Sequence, residues 1–359
     1  MPDPGGGRPT IRSTRAGAGG TPTISGVTAP SISVVVASHQ RPLRLLWLLN
    51  ALEDQTLARE RFEVVVCHDS GERTAAVLAR HPLAAGGTLR SLTLPPGRNP
   101  PGAQRNAAWP LARAPLIAFT DDDCRPPPTW LELALAAAVA HPAAIVQGAT
   151  HPDPDELGLL HACAHPHTQE IDPPVDWVQT CNVVYPRSVL ERAGGFDERL
   201  EGGEDTDLAW RARAGGAPLV GAPEALTYHA VEPRSLVGAV RASWRWRHLP
   251  AVVARHPQMR GNASIGRIFW KPRHARLALA GAGIVVAAGS ARLGGPRMLR
   301  VGLAAGFAVP WASSAVPSYG SSWRGRLRAI GELPGAAAVD VFELAALGVG
   351  SAAARTVFL

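Results

Sequence analysis

The segment AFTDDDCRPPPTW, residues 118–130, sets three adjacent carboxylates between an apolar run and three prolines. Neighbouring Asp122 and Asp123 repel one another, and a strand end holds such a pair at a cost unless a cation joins them. A solvated acidic turn is the alternative for the triplet alone. A second acidic set, Glu204, Asp205 and Asp207 in GGEDTDLAWR, reads as a glycine loop opening a helix. Carboxylates are favoured at a helix N-terminus, so ordinary capping would account for Glu204 or Asp207 taken singly. Asp69 in HDSG is either a turn former or a hydrogen-bond acceptor at the end of an apolar strand.

The elements that must position these groups are legible in the apolar runs. SISVVVAS (31–38) reads as a buried strand, followed by a helical LRLLWLLNAL. FEVVVCHDSG, a helical TAAVLAR and a strand TLRSLTL continue the alternation. A Gly/Pro loop, PPGRNPPGAQRNAAWPLA, then runs into a helix before the strand APLIAFTDDD. This grammar predicts an α/β fold with a doubly wound sheet. In such sheets ligands bind beyond the carboxyl ends of the strands, where Asp69 and Asp121–Asp123 are expected. No G-x-G-x-x-G follows the first strand, which disfavours a dinucleotide fold of the usual kind.

Composition narrows the partners. Only 18% of the 359 residues are charged against 46% hydrophobic, which points to a membrane-associated part. The net charge of +7 suits an anionic partner: phosphate, nucleotide or lipid head group. RNA-binding sheet signatures and spaced Cys/His fingers are missing, so nucleic acid is not expected. Four dispersed cysteines without a CxxC predict reduced thiols. HACAHPH carries His161, Cys163, His165 and His167, plausible zinc donors at an atypical spacing, in what reads as an acceptor-side loop. Residues 1–30, rich in Gly, Pro, Ser and Thr and lacking a signal-peptide apolar stretch, are expected to be a disordered tail.

Four segments, in order, carry a family resemblance: SVVVASHQRP, EVVVCHDSG, PGAQRNAAWPLARAPLIAFTDDD and TCNVVYPRSVLERAGGFDERLEGGEDTDLAWRARAGG. Across residues 31–232 the chain resembles the inverting glycosyltransferases of family 2, with a GT-A fold, a Rossmann-like mixed sheet. The resemblance implies transfer of a sugar from a nucleotide-diphosphate donor to an acceptor hydroxyl with inversion, assisted by Mg²⁺ or Mn²⁺. It implies Asp205 as the general base, with Glu204 and Arg211 in support. It implies substrate contacts from Ser38, Asp69, Arg105, Asp121 and Asp122, and metal contacts from Asp121, Asp123 and His229. Arg98 rivals Arg105 for a phosphate oxygen. His39 and Gln40 stand where many relatives have an aromatic residue and Asn, which leaves the nucleotide base unassigned. A nucleotidyltransferase on a similar sheet is the rival enzyme, but the only lysine is Lys271, far from any N-terminal phosphate loop. A catalytically silent nucleotide-sugar-binding scaffold at the membrane is the rival from another class.

The expected organisation is a tail over 1–30, a GT-A domain over 31–240 and a basic, hydrophobic, membrane-associated helical region over 241–359. Residues 241–276 hold nine Arg or Lys and no acid, among Trp244, Trp246 and Trp270, a composition suited to an anionic membrane surface. The apolar runs 277–291 and 301–323 suggest a membrane hairpin, the second interrupted by Pro310 and Pro317. Asp340 and Glu343 argue that the last apolar run lies at the interface or packs its acids inward. The expected location is the cell membrane with the catalytic domain on its cytoplasmic face, facing an acceptor glycan or lipid-linked acceptor.

Overall fold

The computed structural model describes residues 29–359 apart from 96, 98, 263–264, 293–295, 316–318 and 320–321. Arg98, Pro317 and the N-terminal tail to residue 28 therefore lie outside the described residues. Ten strands form among them: β1 Ile32–Ser38, β2 Phe62–His68, β3 Leu89–Thr93, β4 Leu116–Asp121, β5 Cys124–Arg125, β6 Ile145–Pro152, β7 His165–His167, β8 Asn182–Pro186, β9 Leu219–His229 and β10 Glu232–Arg234. The chain divides into two units, one of residues 1–154 and 168–230, the other of 155–167 and 231–359.

The first unit is built on a mixed eight-stranded sheet in the order β3-β2-β1-β4-β8-β6-β9-β5. Strands β1 to β4 run parallel, and β8 enters antiparallel between β4 and β6. Every residue of β1 except Ala37 is buried, because helices cover both faces of a central parallel strand. The strand period of two sends Val34 and Val36 to one core and Val35 to the other. The first core takes Leu45, Leu48 and Leu49 from helix Pro42–Glu53 and Trp130 and Leu131 from helix Trp130–Ala140. The opposite core takes Val189, Leu190, Leu208 and Ala209 from helices Arg187–Ala193 and Glu204–Ala214.

Glu63 on β2 is a carboxylate in the middle of this apolar sheet, fully buried. It accepts hydrogen bonds from Ser33 Oγ, Arg90 Nη2, Arg113 Nε and the Arg113 amide. Burial alone would raise its pKa, but the Arg113 amide, the Ser33 hydroxyl and Arg90 outweigh burial and hold it below the ordinary glutamate value of 4.5. Glu63→Ala is expected to cost about 2–4 kcal/mol, chiefly from the orphaned Ser33 and Arg113 donors, since both arginines are partly exposed and can rehydrate. In a unit of this size that is a fall in Tm of roughly 5–15 °C. The folded pKa is depressed, so the ionic contribution is present above pH 4.5 and lost as pH falls through the folded value. Melting curves of wild type and variant should converge in acid; an equal gap at pH 3 and pH 7 would refute the account.

In the second unit β7 and β10 pair antiparallel, with Arg234 opposite His165 and Glu232 opposite His167. Through that ladder residues 155–167 join the second unit, which otherwise runs from 231 to 359. HACAHPH, read from sequence as a loop, forms the end of helix Leu157–Ala162 and then β7. Among the described residues its His and Cys side chains join no metal-holding group, and all four cysteines are free.

Three long helices follow, Pro272–Arg292, Arg297–Ala315 and Trp323–Ala353. Asp340 and Glu343 do pack inward: Arg273 and Trp311 Nε1 bind Asp340, and Lys271 and His274 bind Glu343. Among the described residues the one helix long and apolar enough to cross a membrane is Trp323–Ala353. Of the apolar run 301–323, residues 301–315 belong to helix Arg297–Ala315, with Pro310 inside it, and Tyr319 is not helical.

Candidate active site

The acidic triplet sits where the strand run predicts, with Asp121 closing β4 and Asp122 and Asp123 in the turn to β5. β5 then pairs antiparallel with the end of β9, placing Cys124 opposite His229. The Ala230 amide donates to the Asp123 carbonyl at 2.9 Å, which locks this register. By this route a histidine 106 positions along the chain arrives beside the carboxylates. Ligand atoms of Asp121, Asp123 and His229 all lie within 4.8 Å of one another.

The donor set suits a hard divalent cation. His229 Nδ1 lies 2.9 Å from the Ala230 carbonyl, which can only accept, so Nδ1 carries a proton. In the neutral ring Nε2 then turns its lone pair toward Asp123 Oδ1, 3.6 Å away. A carbonyl that orients an imidazole in this way is the usual outer partner of a metal-bound histidine. Two carboxylates and one imidazole form a donor set that a divalent cation can accept.

Asp122 turns the other way. Its Oδ2 accepts from Ser38 Oγ at 2.8 Å and from the His39 amide at 3.3 Å, tying the turn to the end of β1. Arg41 Nη1 reaches Asp123 Oδ2 at 2.8 Å and Asp122 Oδ1 at 3.3 Å. Burial, and then the Asp123 carboxylate, push Asp122 up to about 7 against the pull of Arg41. Arg41 was missed in the sequence, although it is the first cation past the end of β1. The His39 and Gln40 departures also find partners: His39 Nδ1 lies 2.6 Å from Asp69 Oδ1, and the Gln40 amide donates to Ser70 Oγ at 2.6 Å. Asn99 Nδ2 donates to the other Asp69 oxygen at 3.3 Å. Asp69 is thus held by an exposed imidazole rather than left as a bare acceptor.

Arg105 couples the two acidic sets. From helix Pro101–Ala108 its Nη2 donates to Asp121 Oδ1 at 2.7 Å and its Nη1 to Glu204 Oε1 at 3.0 Å. Only 4% exposed and stacked on Phe196, this guanidinium is a clamp between carboxylates, not the open phosphate donor expected of it. Asp205 stands in the first turn of helix Glu204–Ala214, after Gly203, whose φ of +81° suits glycine. Asp205 Oδ1 accepts from the Thr206 amide at 2.7 Å, and Thr206 Oγ1 anchors to the Trp177 carbonyl at 2.7 Å. Burial, then Glu204, raise Asp205 to about 7 against the Thr206 amide and Arg105. Arg211 does not join the constellation. It binds Asp207 Oδ2 at 2.8 Å and the carbonyls of Ala193 and Gly195, bracing the helix against a turn.

The arrangement can hold a cation, orient a diphosphate beside it and accept a proton at a carboxylate of raised pKa. Known proteins agree with the fold. The Glycosyl transferase family 2 profile matches residues 33–188. Validoxylamine A glucosyltransferase from Streptomyces hygroscopicus subsp. jinggangensis is 29% identical over 275 residues, covering 67% of this chain and 63% of that protein. Pre-mycofactocin glycosyltransferase from Mycobacterium tuberculosis is 30% identical over 173 residues, 44% of this chain and 36% of that one. The chain thus spans less than two thirds of the length of the two validoxylamine A glucosyltransferases it matches, 63% and 59%. The mannosyltransferase PcManGT from Pyrobaculum calidifontis, solved with GDP-Man and Mn²⁺, superposes with a TM-score of 0.60 at 18% identity, over 89% of this chain and 88% of that one. Residues 33–188 thus match the family 2 glycosyltransferases in sequence, and the chain shares its fold with PcManGT.

Proposed function

We propose that the chain transfers a sugar from a nucleotide-diphosphate donor to an acceptor hydroxyl with inversion. The observation that supports this most is the convergence of Asp121, Asp123 and His229 within 4.8 Å at the carboxyl ends of the strands. A divalent cation bound there, Mg²⁺ or Mn²⁺, would supply Lewis-acid stabilisation of the diphosphate leaving group. Asp69 and Ser38 would line the nucleotide side of the crevice. Asp205 would take the acceptor proton, its raised pKa matching a general base that works near neutrality. Arg105 would keep Asp121 and Glu204 in place while both neighbours of the reacting groups carry charge.

GDP-Man and Mn²⁺, with which PcManGT was solved, belong to the classes this reading calls for; at 18% identity that likeness carries the fold alone, so the donor is named by class. We infer further that the second unit attaches the enzyme to the cell membrane, the catalytic domain facing the cytoplasm, within reach of a glycan or lipid-linked acceptor. Supporting this are the long apolar helix Trp323–Ala353 and the exposed Ile284, Val285, Leu299, Val301 and Val309 on the two helices before it. The test is turnover of nucleotide-diphosphate sugars with Mn²⁺ or EDTA, the product anomer read by NMR. Metal-dependent release of nucleoside diphosphate with an inverted product is expected. Retention of configuration, or turnover indifferent to EDTA, would overturn the reading.

A further inference from the structure

The second unit encloses a cavity of about 500 Å³, a size typical of small-ligand sites, that the reaction above does not use. Arg234, Arg245, Lys271 and Arg273 line it together with His165 and His167. The H-P-H spacing puts both imidazoles on one face of β7, and the ladder register sets Arg234 opposite His165 on the same face. HACAHPH thus contributes to a basic wall instead of a zinc site.

The ion pairs around the cavity leave one cation over. Arg234 is paired with Glu232 at 3.5 Å, Lys271 with Glu343 at 2.6 Å, and Arg273 with Asp340. The lining carboxylate Glu332 is engaged by Arg328 at 3.1 Å. Arg245 alone among the lining cations has no hydrogen bond or ion pair to any described residue. Its guanidinium lies over the Trp246 ring, 4.5 Å from the centroid, and its Nε is buried without an acceptor. Leaving a buried donor unmade is costly, and an arginine whose plane is fixed by stacking is prepared for bidentate binding of an oxyanion.

We propose that this cavity binds a phosphate ester, with Arg245 as its principal donor and the His165–His167 face beside it. A phosphorylated small molecule and the headgroup of an anionic lipid both present that chemistry. The test is hydrogen exchange on the full chain in EDTA, with inorganic phosphate and dispersed dioctanoyl phosphatidic acid as probes. Protection is read at 163–167 and 232–246, apart from the donor-site segment 118–125, and donor turnover is assayed separately, so either reading can fail alone. Slowed exchange in the first two segments is expected. Tenfold tighter action of the lipid assigns a headgroup; equal action assigns a free phosphate compound. Arg245→Gln should weaken binding about 10–100-fold at an unchanged Tm, and Arg245→Lys, which keeps the charge but loses the fork, by an intermediate amount. No protection with either probe, or undiminished binding by Arg245→Gln, overturns the proposal.

Discussion

Asp205→Asn is expected to lower kcat by about 10²–10⁴-fold while leaving the donor KM within about threefold of wild type. The side chain keeps its shape and can still accept from the Thr206 amide, so the helix start at Glu204 should survive. What it loses is basicity. In wild type a carboxylate raised to about 7 is protonated in mild acid and competent above neutrality, so kcat should climb with pH through that value. The variant's residual rate should show no such limb. Stability supplies a second, opposite readout. A carboxyl whose folded pKa exceeds its ordinary 3.8 binds its proton more tightly when folded. Its ionised form therefore destabilises the fold progressively from about pH 4 to about pH 7. Removing that charge should raise Tm at pH 8 even as activity disappears, the usual trade between stability and a strained site. A variant within tenfold of wild-type kcat, with the same pH limb, would remove Asp205 as the base.

Asp123→Ala carries the second large effect. It deletes a carboxylate that faces His229 Nε2 at 3.6 Å and receives Arg41 at 2.8 Å. In wild type, a nucleoside diphosphate with Mn²⁺ at 100 times its Kd should stabilise the protein by about 2.7 kcal/mol. For a unit of this size that is a rise in Tm of roughly 5–11 °C. The variant should lose this metal-dependent increment, and kcat/KM should fall by at least about 10²-fold, since Lewis-acid assistance is worth several kcal/mol. Asp123→Asn separates charge from shape and should behave like the alanine variant. A full metal-dependent shift in both variants would return the triplet to its other reading, a solvated acidic turn.

Much of this site was legible before any coordinates. β1, β2 and β4 are apolar runs whose periodicity is local, so the placement of Asp69 and Asp121 at strand ends follows from the chain alone. The GGED segment likewise announces a helix start, because glycine conformation and first-turn carboxylates act within a few residues. The cost of bare charge on an apolar helix limited Asp340 and Glu343 to the interface or to inward packing, and their pairing with Arg273 and Lys271 decides for the second.

Tertiary pairing decided the rest. Arg105, which binds Asp121, reaches Glu204 across 99 positions, and nothing in GAQRN announces that its donors go to carboxylates instead of phosphate. His229 reaches Asp123 only because two residues of β5 pair with the end of β9. The His39–Asp69 contact, the burial of Glu63 and the capture of 155–167 by the second unit have the same origin. Periodicity and caps are properties of neighbours along the chain, and these can be read from sequence. Which charges meet depends on strand order and register, chosen by the burial of the whole sheet, and only the folded chain brings those distant residues within reach of one another.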